Sequence, residues 1–146
     1  MAYVQRFTVK LIRDGRVAIE TSPVIRSPED ALPILKAEMD DLPQEAFTVL
    51  CLTTKNAVIG VFPVSLGCIN AAVIRPAEVF ARAILANSAS IILSHQHPSG
   101  CPEPSPEDLA LTKSLVSAGN LLGISVLDHL ILGSNRFVSF KERGLL

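Results

Sequence analysis

Residues 94–108 read Ser-His-Gln-His-Pro-Ser-Gly-Cys-Pro-Glu-Pro-Ser-Pro-Glu-Asp. Two of the three histidines in this 146-residue chain, His95 and His97, lie in that stretch. They follow Ile91-Ile92-Leu93, an apolar run that reads as a buried strand. Side chains on a strand repeat every two residues, so His95 and His97 point to the same side. A loop rich in proline and glycine follows, and Ser105-Pro106-Glu107-Asp108 then opens a helical pattern. Two imidazoles and a carboxylate are the ligand types of a catalytic zinc site, which keeps a fourth position open for water. The stretch predicts that His95, His97 and Asp108 hold one metal ion.

A competing reading needs no metal. Ser-Pro-Glu-Asp also occurs at 27–30, with no histidine near it in sequence. There serine caps a helix, proline suits the first helical position, and acidic residues suit the positive end of the helix dipole. Capping alone explains Ser105 and Asp108 as well, and His-x-His by itself is a weak signal. The second copy differs in its setting, at the end of a strand that carries two imidazoles. Pro98, Pro102, Pro104 and Pro106 stiffen the connection, which lowers the entropy of holding separated ligands together. Gly100 permits a turn that other residues resist. Ser105 can both cap the helix and set its hydroxyl beside the metal.

The length suits one domain over 1–146. A hydrophobic content of 49% argues for a folded globule. Net charge is −1 and no lysine/arginine cluster stands out, so the chain lacks the electrostatic footprint of a nucleic-acid backbone binder. Cys51, Cys68 and Cys101 are scattered and odd in number, which suits a reducing cytoplasm. No signal-peptide pattern opens the chain, and no apolar run is long enough to span a bilayer.

Phe7, Val9 and Leu11 alternate, Asp14-Gly15 is a turn signal, and Arg16 to Ile25 resumes the strand pattern. Together they predict a β-hairpin extension at about 1–26. A helix is expected from Ser27 to about Asp41, with Pro33 as a kink or a later start. Strands are expected over 45–53 and 58–64, with a further short one over 68–74. A helix over 76–87, the histidine-bearing strand over 90–94 and a long helix over 105–120 come next. Gly119 and Gly123 are candidate terminators of that helix. Strands over 124–132 and 136–140 close the pattern. Strands and helices intermix, which predicts an α/β sandwich around a mixed sheet.

His95-x-His97, seven residues, Ser105, two residues and Asp108 resemble the JAMM motif of the MPN metalloprotease superfamily. The wider context is similar to the RadC family. It includes Arg75-Pro76-Ala77-Glu78-Val79-Phe80, His97-Pro98-Ser99-Gly100, Pro104-Ser105, Gly123-Ile124 and Asp128-His129-Leu130-Ile131. The similarity covers residues 27–141. It implies a three-layer α/β/α sandwich with a mixed, largely antiparallel sheet, like that of cytidine deaminases. It also implies one Zn2+ on His95, His97 and Asp108, and a peptidase or isopeptidase that cleaves an amide with a metal-activated water. Ser105 matches the serine that stabilises the tetrahedral intermediate. The general base falls on Glu45, which follows the first helix and opens the next strand, with Glu78 as the rival. The expected partner is a protein or peptide substrate, with homo-oligomerisation left open.

The pattern departs from RadC in three places. Gln96 replaces an asparagine between the histidines; it points to the opposite face, so the metal should be unaffected. Cys101 stands where an aspartate is common and is expected to be a loop cysteine with no role, a competing thiol ligand being the alternative. The helix-hairpin-helix region of RadC proteins has no counterpart here, so direct DNA binding is not expected. A DNA-repair accessory protein and a non-catalytic metal-binding module are the alternative functions. His129 is expected to be a satisfied core histidine, with a place beside the metal ligands as the alternative.

Overall fold

β1 (Ala46–Leu52) and β3 (Ser90–Gln96) are buried along their whole length. Phe47, Val49 and Cys51 point to one side of β1, and Ala46, Leu50 and Leu52 to the other. A strand with two apolar faces needs cover on both. A computed structural model describes residues 1–20, 23–40, 42–69 and 73–146, and three helices among the described residues supply that cover.

The sheet has five strands in the order β2-β1-β3-β4-β5. β2 (Val58–Leu66) and β5 (Phe137–Ser139) form its edges, and β4 (Ser125–Leu132) lies between β3 and β5. Only β3 and β4 pair in parallel; the other neighbours are antiparallel. Parallel neighbours need a crossover, and α3 (Pro106–Leu122) makes it.

α1 (Pro28–Met39) sets Ala31, Ile34, Leu35 and Met39 against Leu50, Leu52, Ile92 and Leu130 on one face. α2 (Pro76–Leu85) and α3 set Val79, Phe80, Leu111 and Leu115 against Phe47, Val49, Ile91 and Leu93 on the other. This is the expected three-layer α/β/α sandwich with a mixed, largely antiparallel sheet. Each large apolar side chain buried in it contributes about 1.5–3 kcal/mol.

Pro33 lies inside α1 without ending it, so a single missing backbone bond is absorbed by the packing of that helix. Of the two glycines expected to end α3, only Gly123 does so, at φ 73°. Gly119 is a buried part of α3, where a Cβ would meet the Ile124 carbonyl and the side chains of Phe80 and Val126.

Two expected elements are corrected. No hairpin forms at residues 1–20, which carry no strand; residues 21–22 of its second arm lie outside the described residues. Phe7 and Val9 are 83% and 71% exposed, so the alternating face has nothing to pack on. A two-stranded hairpin without cover is at best marginally stable. Among the described residues of its second arm, Val24 alone forms a bridge, to Ala57. The short strand expected over 68–74 is absent at Cys68–Ile69 and at Val73–Ile74; residues 70–72 lie outside the described residues.

Candidate metal centre

The sheet register and one helix start assemble the site. β3 runs one turn of pleat further than the sequence suggests, so His95 is a strand residue, opposite Phe47 of β1. His97 follows the strand end, and its N–H donates to the Leu132 carbonyl at 3.0 Å. Asp108 is the third residue of α3 and is buried under that helix. Its N–H donates to Ser105 Oγ at 3.1 Å, while its Oδ2 accepts the Ser105 N–H at 2.8 Å. The capping box therefore fixes the carboxylate.

The three predicted ligands converge. One donor atom from each of His95, His97 and Asp108 lies within 4.8 Å of the other two. His95 Nε2 and His97 Nε2 are 3.1 Å apart. Asp108 Oδ1 is 3.2 Å from His95 Nε2, and Oδ2 is 3.3 Å from His97 Nε2. A tetrahedral zinc with bonds near 2.05 Å has ligand–ligand edges of about 3.3 Å.

Hydrogen bonds decide which ring nitrogens are free. His97 Nδ1 lies 2.8 Å from the Cys101 carbonyl. A carbonyl only accepts, so Nδ1 carries a proton and Nε2 is left for a metal. The His95 side is set by a longer chain. The Thr112 hydroxyl donates to the Asp108 carbonyl at 2.7 Å. Having given its proton there, it accepts from His129 Nδ1–H at 2.6 Å. His129 Nε2 then accepts from His95 Nδ1–H at 2.8 Å. His95 Nε2 is therefore a lone pair facing the site. The donor set fits a divalent metal of the zinc type, with both imidazoles presented in the ligating tautomer.

Where no metal occupies them, the two Nε2 positions can instead carry protons that are donated to Asp108. Burial pushes the Asp108 carboxyl up, but hydrogen bonds from His95 and His97 outweigh it and hold it far below the usual carboxylate range. The hydrogen bond to Asp108 raises His97 above the usual imidazole value; burial opposes this, and the Cys101 carbonyl reinforces it. Burial pushes His129 well below the usual imidazole value, which favours its neutral form.

Glu45 is brought to the site and Glu78 is not. Glu45 Oε1 lies 4.0 Å from His97 Nε2, and Oε2 accepts the Ile69 N–H at 3.1 Å. Glu78 turns outward to Arg75 and Arg82 on its own helix. Glu45 and Ser105 line a cleft of about 520 Å³ with Cys68, Ile69, His97, Pro98, Glu107 and Asp108. Cys101 contributes its carbonyl to His97, while its Sγ lies 3.7 Å from Arg136 Nη2. His129 is fully buried and hydrogen-bonded, as expected of a core histidine, and its partner is His95.

Thr112 and Gln96 were not picked out as site residues from sequence. Thr112 sits four residues beyond Asp108, on the same helix face, and that spacing is the signal that finds it. Gln96 hydrogen-bonds on the far side of β3, where side-chain alternation gives no hint of a partner.

A mixed sheet clad by helices, with His-x-His at a strand end and an aspartate at the next helix start, defines a JAB-type domain with a candidate metal centre. A family model described as a RadC-like JAB domain matches residues 25–145. The chain belongs to that family. It is 53% identical to a UPF0758 protein of Roseiflexus castenholzii over 121 residues, covering 83% of this chain and 52% of that protein. A UPF0758 protein of Clostridium beijerinckii is 48% identical over 129 residues, covering 88% of this chain and 56% of the relative. The chain thus spans about half the length of the curated relatives it matches. Among the described residues, no helix is long and apolar enough to cross a membrane.

Proposed function

We propose that the chain is a zinc-dependent amide hydrolase, a peptidase or isopeptidase of the JAMM type. The observation that carries this reading is the pair of occupied Nδ1 atoms, which leaves both Nε2 lone pairs aimed at the Asp108 carboxylate. A bound zinc supplies a Lewis acid that polarises the scissile carbonyl and makes water acidic near neutral pH. Glu45 accepts the proton of the attacking water and returns it to the leaving amine. Its position beside His97 and its exposure to the cleft support that role. Ser105 uses its oxygen as acceptor for Asp108 N–H and retains its own proton to donate to the oxyanion. The substrate is a protein or peptide, and a reducing cytoplasm suits three scattered cysteines, two of them exposed.

Zinc content tests the ligands. Wild type is expected to hold one equivalent and His97→Ala close to none; equal loading of the two, or none in either, defeats the assignment. Glu45→Gln tests the chemistry. Loss of turnover with zinc retained marks an enzyme, whereas a purely structural site shows no turnover in wild type either.

A further inference from the structure

Gln96 stands between the two histidines and points to the opposite face of β3, buried to 9% exposure. The β1–β3 ladder has its last pair at Phe47 and His95. Beyond that pair the Gln96 side chain takes over from the backbone. Its Oε1 accepts the Ala46 N–H at 2.6 Å, and its Nε2 donates to the Gln44 carbonyl at 2.6 Å. Those two peptide groups flank Glu45. Glu45 is also held by Gly67, whose N–H donates to the Glu45 carbonyl at 2.7 Å, and by the Ile69 N–H on Oε2.

We propose that Gln96 is a positioning residue for Glu45: its amide clamps the backbone on either side of that glutamate and holds the carboxylate toward His97. The proposal rests on reading Glu45 as the proton-handling group. His-x-His forces the middle side chain onto the face away from the ligands. There it meets the start of β1, where the buried Ala46 N–H requires a partner. A primary amide offers one acceptor and one donor in a single fork, which is what an N–H and a C=O two residues apart need. Methionine has neither. Glutamate keeps the acceptor but sets a second oxygen against the Gln44 carbonyl. Asparagine is one methylene short of reaching both groups. Gln96 thereby lengthens the sheet by one residue pair and carries Glu45 into line with His97, without touching a ligand.

Gln96→Met and Gln96→Glu test this by NMR in two states of the full chain. In the metal-free protein, Gln96→Met is expected to speed amide exchange at Ile69 and Ala46 about tenfold, the effect of losing one hydrogen bond. In the Co2+-loaded protein, paramagnetic relaxation of the Glu45 carboxyl carbon is expected to fall relative to that of Glu107. Glu107 lines the same cleft but is held by α3. Co2+ stoichiometry should match wild type, because the three ligands are untouched. Gln96→Glu keeps one of the two bonds, is expected to lie between, and gives the reading should Gln96→Met fail to fold. Wild-type exchange at Ile69 with wild-type relaxation at Glu45 overturns the proposal, even if Ala46 exchanges faster; Gln96 is then only a strut at the strand end. If wild type takes up no Co2+, the metalloenzyme reading fails, and exchange at Ile69 alone decides whether the clamp exists.

Discussion

Replacing Thr112 by valine removes one oxygen from the middle of a chain of hydrogen bonds and leaves the shape nearly unchanged. Thr112 is buried, and its hydroxyl links the Asp108 carbonyl to His129 at 2.7 and 2.6 Å. Without it the His129 Nδ1 proton has no partner, which costs about 1–3 kcal/mol in a buried site. The metal-free protein escapes by moving protons. His129 takes the Nε2–H tautomer and donates to His95 Nδ1, and His95 then donates from Nε2 to Asp108 Oδ1, 3.2 Å away. The metal-loaded protein has no such escape, because that tautomer puts a proton on the ligating nitrogen. The penalty therefore falls on the loaded state, and zinc affinity should drop about 10–100-fold, as for other partners of ligating histidines. Competition with a chromogenic chelator measures it, with Thr112→Ser as the variant that retains the hydroxyl. An affinity for Thr112→Val within a factor of about two of wild type would falsify the relay, since a lost buried bond of this kind is worth at least 1 kcal/mol.

Proton competition gives a second test. His97 titrates above its ordinary 6.5 because Asp108 binds its charged form, and the Asp108 carboxyl stays ionised far below neutrality. The protonated His97–Asp108 pair stabilises the metal-free fold fully below pH 6.5, and that stability is lost as pH rises through the raised His97 value. Zinc must displace this proton, so apparent affinity should fall about tenfold per pH unit below that value; a pH-independent affinity between pH 5 and 8 argues against His97 as a ligand. Gly119→Ala should cost about 1–3 kcal/mol despite alanine's better helix propensity, because its methyl meets the Ile124 carbonyl and the Phe80 ring. Urea denaturation checks that sign, and a stabilised variant would refute the packing argument. Asp128→Ala should cost about 3 kcal/mol, since the carboxylate accepts from the backbone of His129 and Lys141 and from the Ser139 hydroxyl. A change below 1 kcal/mol in thermal unfolding would mean that water replaces those bonds.

Local periodicity made most of the sandwich legible. The continuous apolar run of β1, the caps at Ser27 and Ser105 and the Gly123 stop are short-range signals, and the elements lie where those signals put them. The candidate His95–His97–Asp108 group was legible for the same reason: His95 and His97 share a face by strand geometry, and Asp108 follows within one loop. The hairpin expected at 1–26 does not form at residues 1–20 because alternation reports a face that wants cover, not whether cover exists. Gln96 and the contacts of His129 with His95 and Thr112 depend on partners 17 to 52 residues away, which no window of the sequence brings together. The choice of Glu45 over Glu78 follows a related rule. Glu78 finds its cations within its own helix, whereas Glu45 must be carried to His97 by a sheet register.

Ser-Pro-Glu-Asp at the start of α1 and of α3 writes one local instruction twice, with different outcomes. Asp30 stays at the surface, its carboxylate taken up by the N–H groups of Arg26 and Ser27. Asp108 is bound by its own helix start in the same way, but Oδ1 remains to face His95. The carboxylate is thus oriented by the start of α3 itself, with no ion needed to place it. A metal ion taken up there would meet a finished scaffold, so the rate of uptake should follow diffusion and proton release rather than chain rearrangement. The same feature suggests how such a centre originates: an ordinary helix cap turns into a ligand when two histidines appear on the strand beside it, with no change to the cap itself.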